Sequence, residues 1–245
     1  MVAIVTVVNN ISSAANGLGS IQIDVSARVS TKADFLLVMA QQHVTTVQAA
    51  TWDVSGADQA MTTAGEVNAA GSLPISFKAF YLNAPAVGEH ILRVYVSGTA
   101  AGKVVGAYAL TSVADASPID AFVAGVVASQ TASAFVASTA NNLVVDAIGW
   151  RSAFNVSAGS TCSAETGQTE DYERKPTGGA GGLHAGSHQT GETSTRMSWA
   201  ANNGNGGVGV QGMMVVEVLC TASAGGGAPG ATFNPRNLQV VGTGR

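Results

Sequence analysis

His184 and His188 stand four residues apart, the spacing that on a helix would turn two imidazoles to one side and offer them to a metal ion. They sit among Gly181, Gly182, Gly186 and Ser187, a run too rich in glycine to hold a helix. The pair therefore reads as part of a solvated or contact loop, and neither a metal nor another cofactor is expected. Glu165, Glu170, Asp171 and Glu173 are the densest carboxylates, able in principle to serve as calcium ligands or as the acid/base pair of a glycoside hydrolase. Arg174 and Lys175 follow at once and no spaced Asp/Asn/Gly calcium loop is present, so the segment reads as a charged loop tip. Gly159-Ser160-Thr161 and Gly186-Ser187-His188 do not make a G-x-S-x-G nucleophile elbow. Gly17 and Gly19 lack the lysine and helix of a phosphate loop. No catalytic residue emerges, and the expectation is a protein that is not an enzyme.

Aromatic side chains carry a different chemistry, the stacking of sugars. Trp52, Trp150 and Trp199 all fall in or beside predicted strands, where large rings more often fill a core. Tyr172 lies in the charged segment and is expected to meet solvent or a partner. Cys162 and Cys220 are the only cysteines, too few for a disulfide scaffold, and read as free thiols of a protein made in the cytosol.

The elements that must position these groups are strands. Ile21, Ile23 and Val25 alternate with Gln22 and Asp24, and Phe35 to Ala40 is a continuous apolar run of the kind buried on both faces. Phe77 to Leu82 leads through Pro85 and Gly88 into Ile91, Arg93, Tyr95 and Ser97, which predicts a hairpin. Further strands are predicted at 104–110, 134–138, 143–150, 196–200 and 208–219. One short helix is predicted over Pro118 to Ala128, capped by Ser117. About ten strands at this spacing predict an all-β, antiparallel sandwich of jelly-roll type.

Three segments stand apart from a single sandwich domain spanning 18–221. Residues 1–17 form an apolar N-terminal arm, 157–195 a long loop, and 222–245 a Gly-rich C-terminal tail ending in the apolar stretch Leu238 to Val241. Both arms are expected to extend and to order on neighbours by strand addition.

Of 245 residues 46% are hydrophobic but only 11% charged, against about a quarter in an ordinary soluble domain. Sparse charge suits surfaces that are covered by neighbours, because burying an unpaired charge is costly; a secreted protein with a low-charge composition is the bland alternative. With a net charge of −4 and scattered basic residues, no nucleic-acid surface is expected. The opening residues lack a signal peptide's basic region, and the uncharged stretch Ala121 to Val145 is too polar to cross a membrane.

Five segments in order look familiar: Ala33 to Val38, Val47 to Trp52, Ala60-Met61-Thr62, Phe80 to Pro85 with Gly88 to Ile91, and Asn141 to Asp146. Over roughly residues 20–220 the chain resembles jelly-roll virion proteins of tailed bacteriophages, among them head decoration proteins and tail or fibre components. Related patterns occur in secreted carbohydrate-binding modules. Asp53 and Val54 depart from the family, standing where it tends to have a glycine-containing turn.

The resemblance implies a structural protein made in the host cytoplasm and carried on the virion, foremost a capsid decoration or cement protein. Its partners would be copies of itself, a trimer being the expected assembly, and the major capsid protein or other virion proteins. Val2, Ile4, Val5, Val7, Tyr172, Arg174, Lys175, Leu238, Val240 and Val241 are the expected contact residues. The alternative is a tail or fibre component that binds a host-surface glycan.

Overall fold

Phe35 to Ala40 is the centre of a strand covered on both faces, and it shows how the whole molecule is layered. Phe35, Leu37 and Met39 enter one core while Leu36, Val38 and Ala40 enter another, all essentially inaccessible to solvent. A strand alternates its side chains between two faces, so a run without polar residues fits only a sheet sandwiched between two others.

The computed structural model describes residues 3–8, 22–29, 31, 33–43, 46–69, 75–97, 103–127, 131–151, 160–174, 182–202 and 210–221. Among these there are strands and no helix. The N-terminal half carries β1 (Ala3–Val8), β2 (Gln22–Val29), β3 (Phe35–His43), β4 (Val47–Trp52), β5 (Gln59–Ala60), β6 (Thr62–Ala69), β7 (Ile75–Asn83), β8 (Gly88–Val96) and β9 (Lys103–Thr111). The C-terminal half carries β10 (Ile119–Val127), β11 (Thr131–Ala137), β12 (Leu143–Arg151), β13 (Thr161–Ala164), β14 (Thr169–Arg174), β15 (Gly182–Thr190), β16 (Ser194–Asn202) and β17 (Val210–Val218).

All pairing is antiparallel, in four sheets: β2-β8-β4-β5, β1-β9-β3-β7-β6, β10-β17-β12-β15-β14 and β11-β16-β13. Three apolar clusters fill the spaces between successive sheets, so the layers stack in that order. The two five-stranded sheets are inner layers and the other two are outer layers. Trp52, with Leu92 and Val94, packs the first outer sheet onto its neighbour; Trp150 and Trp199 do the same at the other end of the stack.

The halves repeat one another strand for strand. The inner orders 1-9-3-7-6 and 10-17-12-15-14 match position by position, as do 2-8-4 and 11-16-13. Irregularities repeat too. β1 and β10 each bulge against the last strand of their half, at Ile4/Thr6 and Ile119/Ala121, and β6 and β14 bulge at Thr63/Gly65 and Glu170/Tyr172. Asp34 accepts a hydrogen bond from the Ser112 amide at 2.8 Å, and Asn142 at the equivalent position accepts one from the Cys220 amide at 3.1 Å. The segments after β9 and β17 meet in an antiparallel bridge between Val113 and Cys220.

Large side chains of each inner sheet occupy space that a β-carbon would need on the other. Phe77 lies over Gly212 and Gln41 over Gly149; Tyr108 over Gly186 and Tyr172 over Gly106 interlock in opposite senses. These close approaches register the two halves against one another.

Several sequence expectations change. The helix over Pro118 to Ala128 is β10, because eight residues of ladder with β17 and a β-branched composition outweigh the weak propensity of a short helix. β7 and β8 are not a hairpin: β7 pairs with β3 and β6, β8 with β2 and β4, and the Pro85 corner carries the chain between layers. Their burial explains it, since β7 is closed on both faces over most of its length while β8 is closed on alternate residues. The described parts of 157–195 are β13, β14, β15 and the start of β16 rather than a loop. The expected N-terminal arm contributes β1 to the chain's own inner sheet, paired with β9. Four layered sheets also exceed the single sandwich expected over 18–221. The tail 222–245 lies outside the described residues.

Gly149→Ala and Gly212→Ala should each destabilise the protein by about 1–3 kcal/mol, the usual penalty of overpacking, with the denaturant midpoint falling at unchanged slope. An unchanged midpoint would show that the inner sheets can separate freely to admit a methyl group.

Candidate functional site

Along β12, Val144, Ile148 and Trp150 point into the core between the inner and outer sheets of the C-terminal half, and Asp146 stands in the same row, fully buried. Three elements close around its carboxylate. From β15, Ser187 donates its backbone N–H to Oδ1 at 2.9 Å and its hydroxyl to the same oxygen at 2.6 Å. From β16, the Trp199 indole donates to Oδ2 at 2.7 Å. From the β13–β14 turn, the Gln168 amide nitrogen lies 3.4 Å from Oδ2 and donates to the Ser187 hydroxyl at 2.7 Å. Gln168 is itself fixed, its amide oxygen accepting the Ser198 N–H at 2.6 Å. Burial pushes the Asp146 carboxyl up to about 7 even though the bonds from Ser187 and Trp199 pull it down, and the nearby Asp171 carboxylate adds to the rise.

On the other side of the same sheet, His188 Nδ1 lies 2.9 Å from both oxygens of Asp171. Asp171 is the bulged residue of β14, and the bulge brings its carboxylate beside His188. Tyr172 follows it into the central core, 6.5 Å from Tyr108 between ring centroids. Burial raises both phenols, with neighbouring negative groups contributing further.

A second polar site lies at the surface of the N-terminal half. Trp52 donates its indole N–H to the Ala86 carbonyl at 2.9 Å and meets the His90 ring edge-on. Asp53 Oδ1 is 2.7 Å from His90 Nδ1, and His90 Nε2 is 3.0 Å from the Val87 carbonyl. Asp53 Oδ2 accepts the Ala57 N–H at 3.0 Å. Asp53, Ser55 and Asp58 hold φ of 58°, 80° and 46°, a left-handed path that usually calls for glycine. The structure stabilises it through the Asp53 carboxylate rather than through glycine at these positions. An open cleft of about 450 Å³ lies between 53–56 and 89–91. Both ring nitrogens of His90 and both oxygens of Asp53 have a partner, so the pair braces the loop.

Of the expected contact residues, Tyr172 alone has a described side chain. Tyr172, expected to meet solvent or a partner, is 5% exposed and packs in the central core, because its strand lies in an inner sheet. Ile4, Val5 and Val7 lie in β1, and Arg174 ends β14; their side chains are outside the described residues, as are Val2, Lys175, Leu238, Val240 and Val241 altogether. His184 and His188 share one face of β15, about 13 Å apart along an extended strand. His184 is buried while His188 pairs with Asp171. Among the described residues no group of three or more His, Cys, Asp or Glu could hold a metal ion. Cys162 and Cys220 are not joined in a disulfide.

Sequence reading missed Asp146. Its signal was present: one carboxylate in the otherwise apolar run from Leu143 to Ile148.

The fold and its sites define a class, an all-β protein of layered antiparallel sheets that buries the carboxylates of Asp146 and Glu217 in its C-terminal half. No family model matches the chain, and neither a curated protein nor a solved structure matches it.

Ser187→Ala removes one donor from a buried carboxyl group and should lower stability by about 1–3 kcal/mol, read from denaturant unfolding. A loss below a few tenths would mean that water or a neighbour replaces the hydroxyl.

Proposed function

We propose that this chain is a non-enzymatic structural protein of a bacteriophage virion, foremost a capsid decoration or cement protein that packs against copies of itself and against the major capsid protein. The observation that supports this most is the outer face of the β11-β16-β13 sheet. Its exposed positions are Phe135, Ala137, Thr161, Ser163, Ser194, Arg196, Ala200 and Asn202, with a single charge among eight residues. Phe135, 47% exposed, is one of two large hydrophobic side chains open to solvent among the described residues. A face of mostly small, uncharged side chains around an exposed ring desolvates at little cost and can approach a neighbouring surface closely.

Strand order supports the jelly-roll reading of each half. A chain wound between two sheets places its first strand beside its last and its second beside its next-to-last, and β1-β9-β3-β7 with β2-β8-β4-β5 follows that pattern. The C-terminal half follows it as well, with β10-β17-β12-β15 and β11-β16-β13. Trp52, Trp150 and Trp199 are all buried, so the glycan-binding alternative draws no sugar platform from them.

The test places a charge on the proposed contact face. Phe135→Glu and Ala200→Glu should each cut the copy number in purified particles by tenfold or more, measured by mass spectrometry, while circular dichroism and thermal unfolding stay unchanged. Wild-type copy number in both variants would overturn the assignment of this face, and density confined to the tail by electron cryomicroscopy would overturn the capsid role.

A further inference from the structure

Among the described residues each of the four sheets ends in two edge strands. An edge strand offers a row of unpaired N–H and C=O groups to other chains unless it is very short, bulged or charged. Seven of these edges are blunted in one of those ways. β5 has two residues and β13 four. β2 carries Asp24 and Arg28. β1, β6, β10 and β14 all bulge, and the last three also carry charge: Glu66 on β6, Asp120 on β10, and Glu170, Asp171, Glu173 and Arg174 on β14.

β11 is the exception. Its seven residues, Thr131–Ala137, contain no charge and no proline, and they keep an unbroken register with β16 from Thr131↔Ala200 to Ala137↔Ser194. Ala132, Ala134 and Val136 are buried in the core beneath, which anchors the strand. Phe135 and Ala137 are exposed on the outer face. Among the described residues no strand pairs with the other side of β11.

We propose that β11 is a dimerisation edge, to which the β11 strand of a second copy adds antiparallel, joining two three-stranded sheets into one. The strand is complementary to itself. Pairing over its full length puts Ala134 on the two-fold axis, with Thr131 opposite Ala137, Ala132 opposite Val136 and Ser133 opposite Phe135 of the second copy. Outer positions then meet outer positions and core positions meet core positions, as a two-fold axis perpendicular to the sheet requires. A slip of one residue would break that match. The two Phe135 side chains become diagonal neighbours across the axis, about 7–8 Å apart and within aromatic reach. This gives the most prominent apolar group of the sheet a partner that a single chain lacks. A symmetric pair also occupies both edges at once, so the assembly closes at two copies. Support for this edge lies in the strand itself, apart from the virion reading.

Analytical ultracentrifugation of the full chain tests this. A dimer is expected, and Thr131→Lys combined with Ala137→Lys should weaken it by roughly tenfold or more, because two lysine pairs would then oppose one another along the edge. Both positions reach solvent in the single chain, so circular dichroism and thermal unfolding should stay unchanged. Ala200→Glu, on the outer face but one strand inward, should leave the dimer intact. A wild-type chain that stays monomeric at about 0.1 mM would overturn the proposal. So would a dimer that tolerates the lysines and dissociates with Ala200→Glu; self-association would then belong to the face of the sheet, and the assembly role proposed for that face would stand. Should the lysine variant fail to fold, amide exchange of the wild-type chain decides. Exchange within 131–137 should slow as the concentration rises through the dimer range, and exchange independent of concentration overturns the edge.

Discussion

Two sheets buried on both faces are the constraint from which the rest follows. A strand in such a sheet has no solvent face, so its residues must be apolar or fully hydrogen-bonded, and its partners across each core must fit without voids. β3 meets this with Phe35 to Ala40, and β12 with Leu143 to Trp150 interrupted by one acid. Where the inner sheets meet, the fit is set by shape: Phe77, Gln41, Tyr108 and Tyr172 reach into positions that glycine leaves open on the facing sheet. Gln41 and Gly149 occupy equivalent places in their halves, so the contact between two repeated surfaces is complementary, with the large side chain on one and the small on the other.

This asymmetry within a repeat also organises the chemistry. The halves share strand order, bulges and the cap made by Asp34 or Asn142, yet they differ at matched core positions. The N-terminal half places its conspicuous acid and histidine, Asp53 and His90, at a surface corner as a brace for a left-handed loop. The C-terminal half places Asp146 within a core and Asp171 with His188 at the sheet's margin. The described outer face of the last sheet carries one charge, Arg196, among its eight exposed strand positions.

Some of this could be read from residues alone. Period-two alternation and glycine-rich breaks gave about ten strands, and the uninterrupted apolar run at Phe35 pointed to a doubly buried strand because side-chain direction in a strand is a local property. The tryptophans were legible as core for the same reason: they lie in or beside strands, with apolar neighbours. Local pattern misled where two states were locally comparable. Pro118 to Ala128 can form a short helix or an edge strand, and only β17 alongside it decides; the segment from Ser157 to Thr195 looks like a loop because its strands are rich in Gly, Ser and charge.

The sequence by itself determined the secondary structure class, the doubly buried central strand and the scarcity of charge, since these depend on residue type and spacing along the chain. Tertiary structure alone decided which strands share a sheet, that the chain folds the same path twice, and that Asp146, Gln168, Ser187 and Trp199 meet. Those four residues come from separate elements spread over more than fifty positions of the chain. No local pattern encodes their meeting, because it arises only when the two sheets of the C-terminal half close on one another.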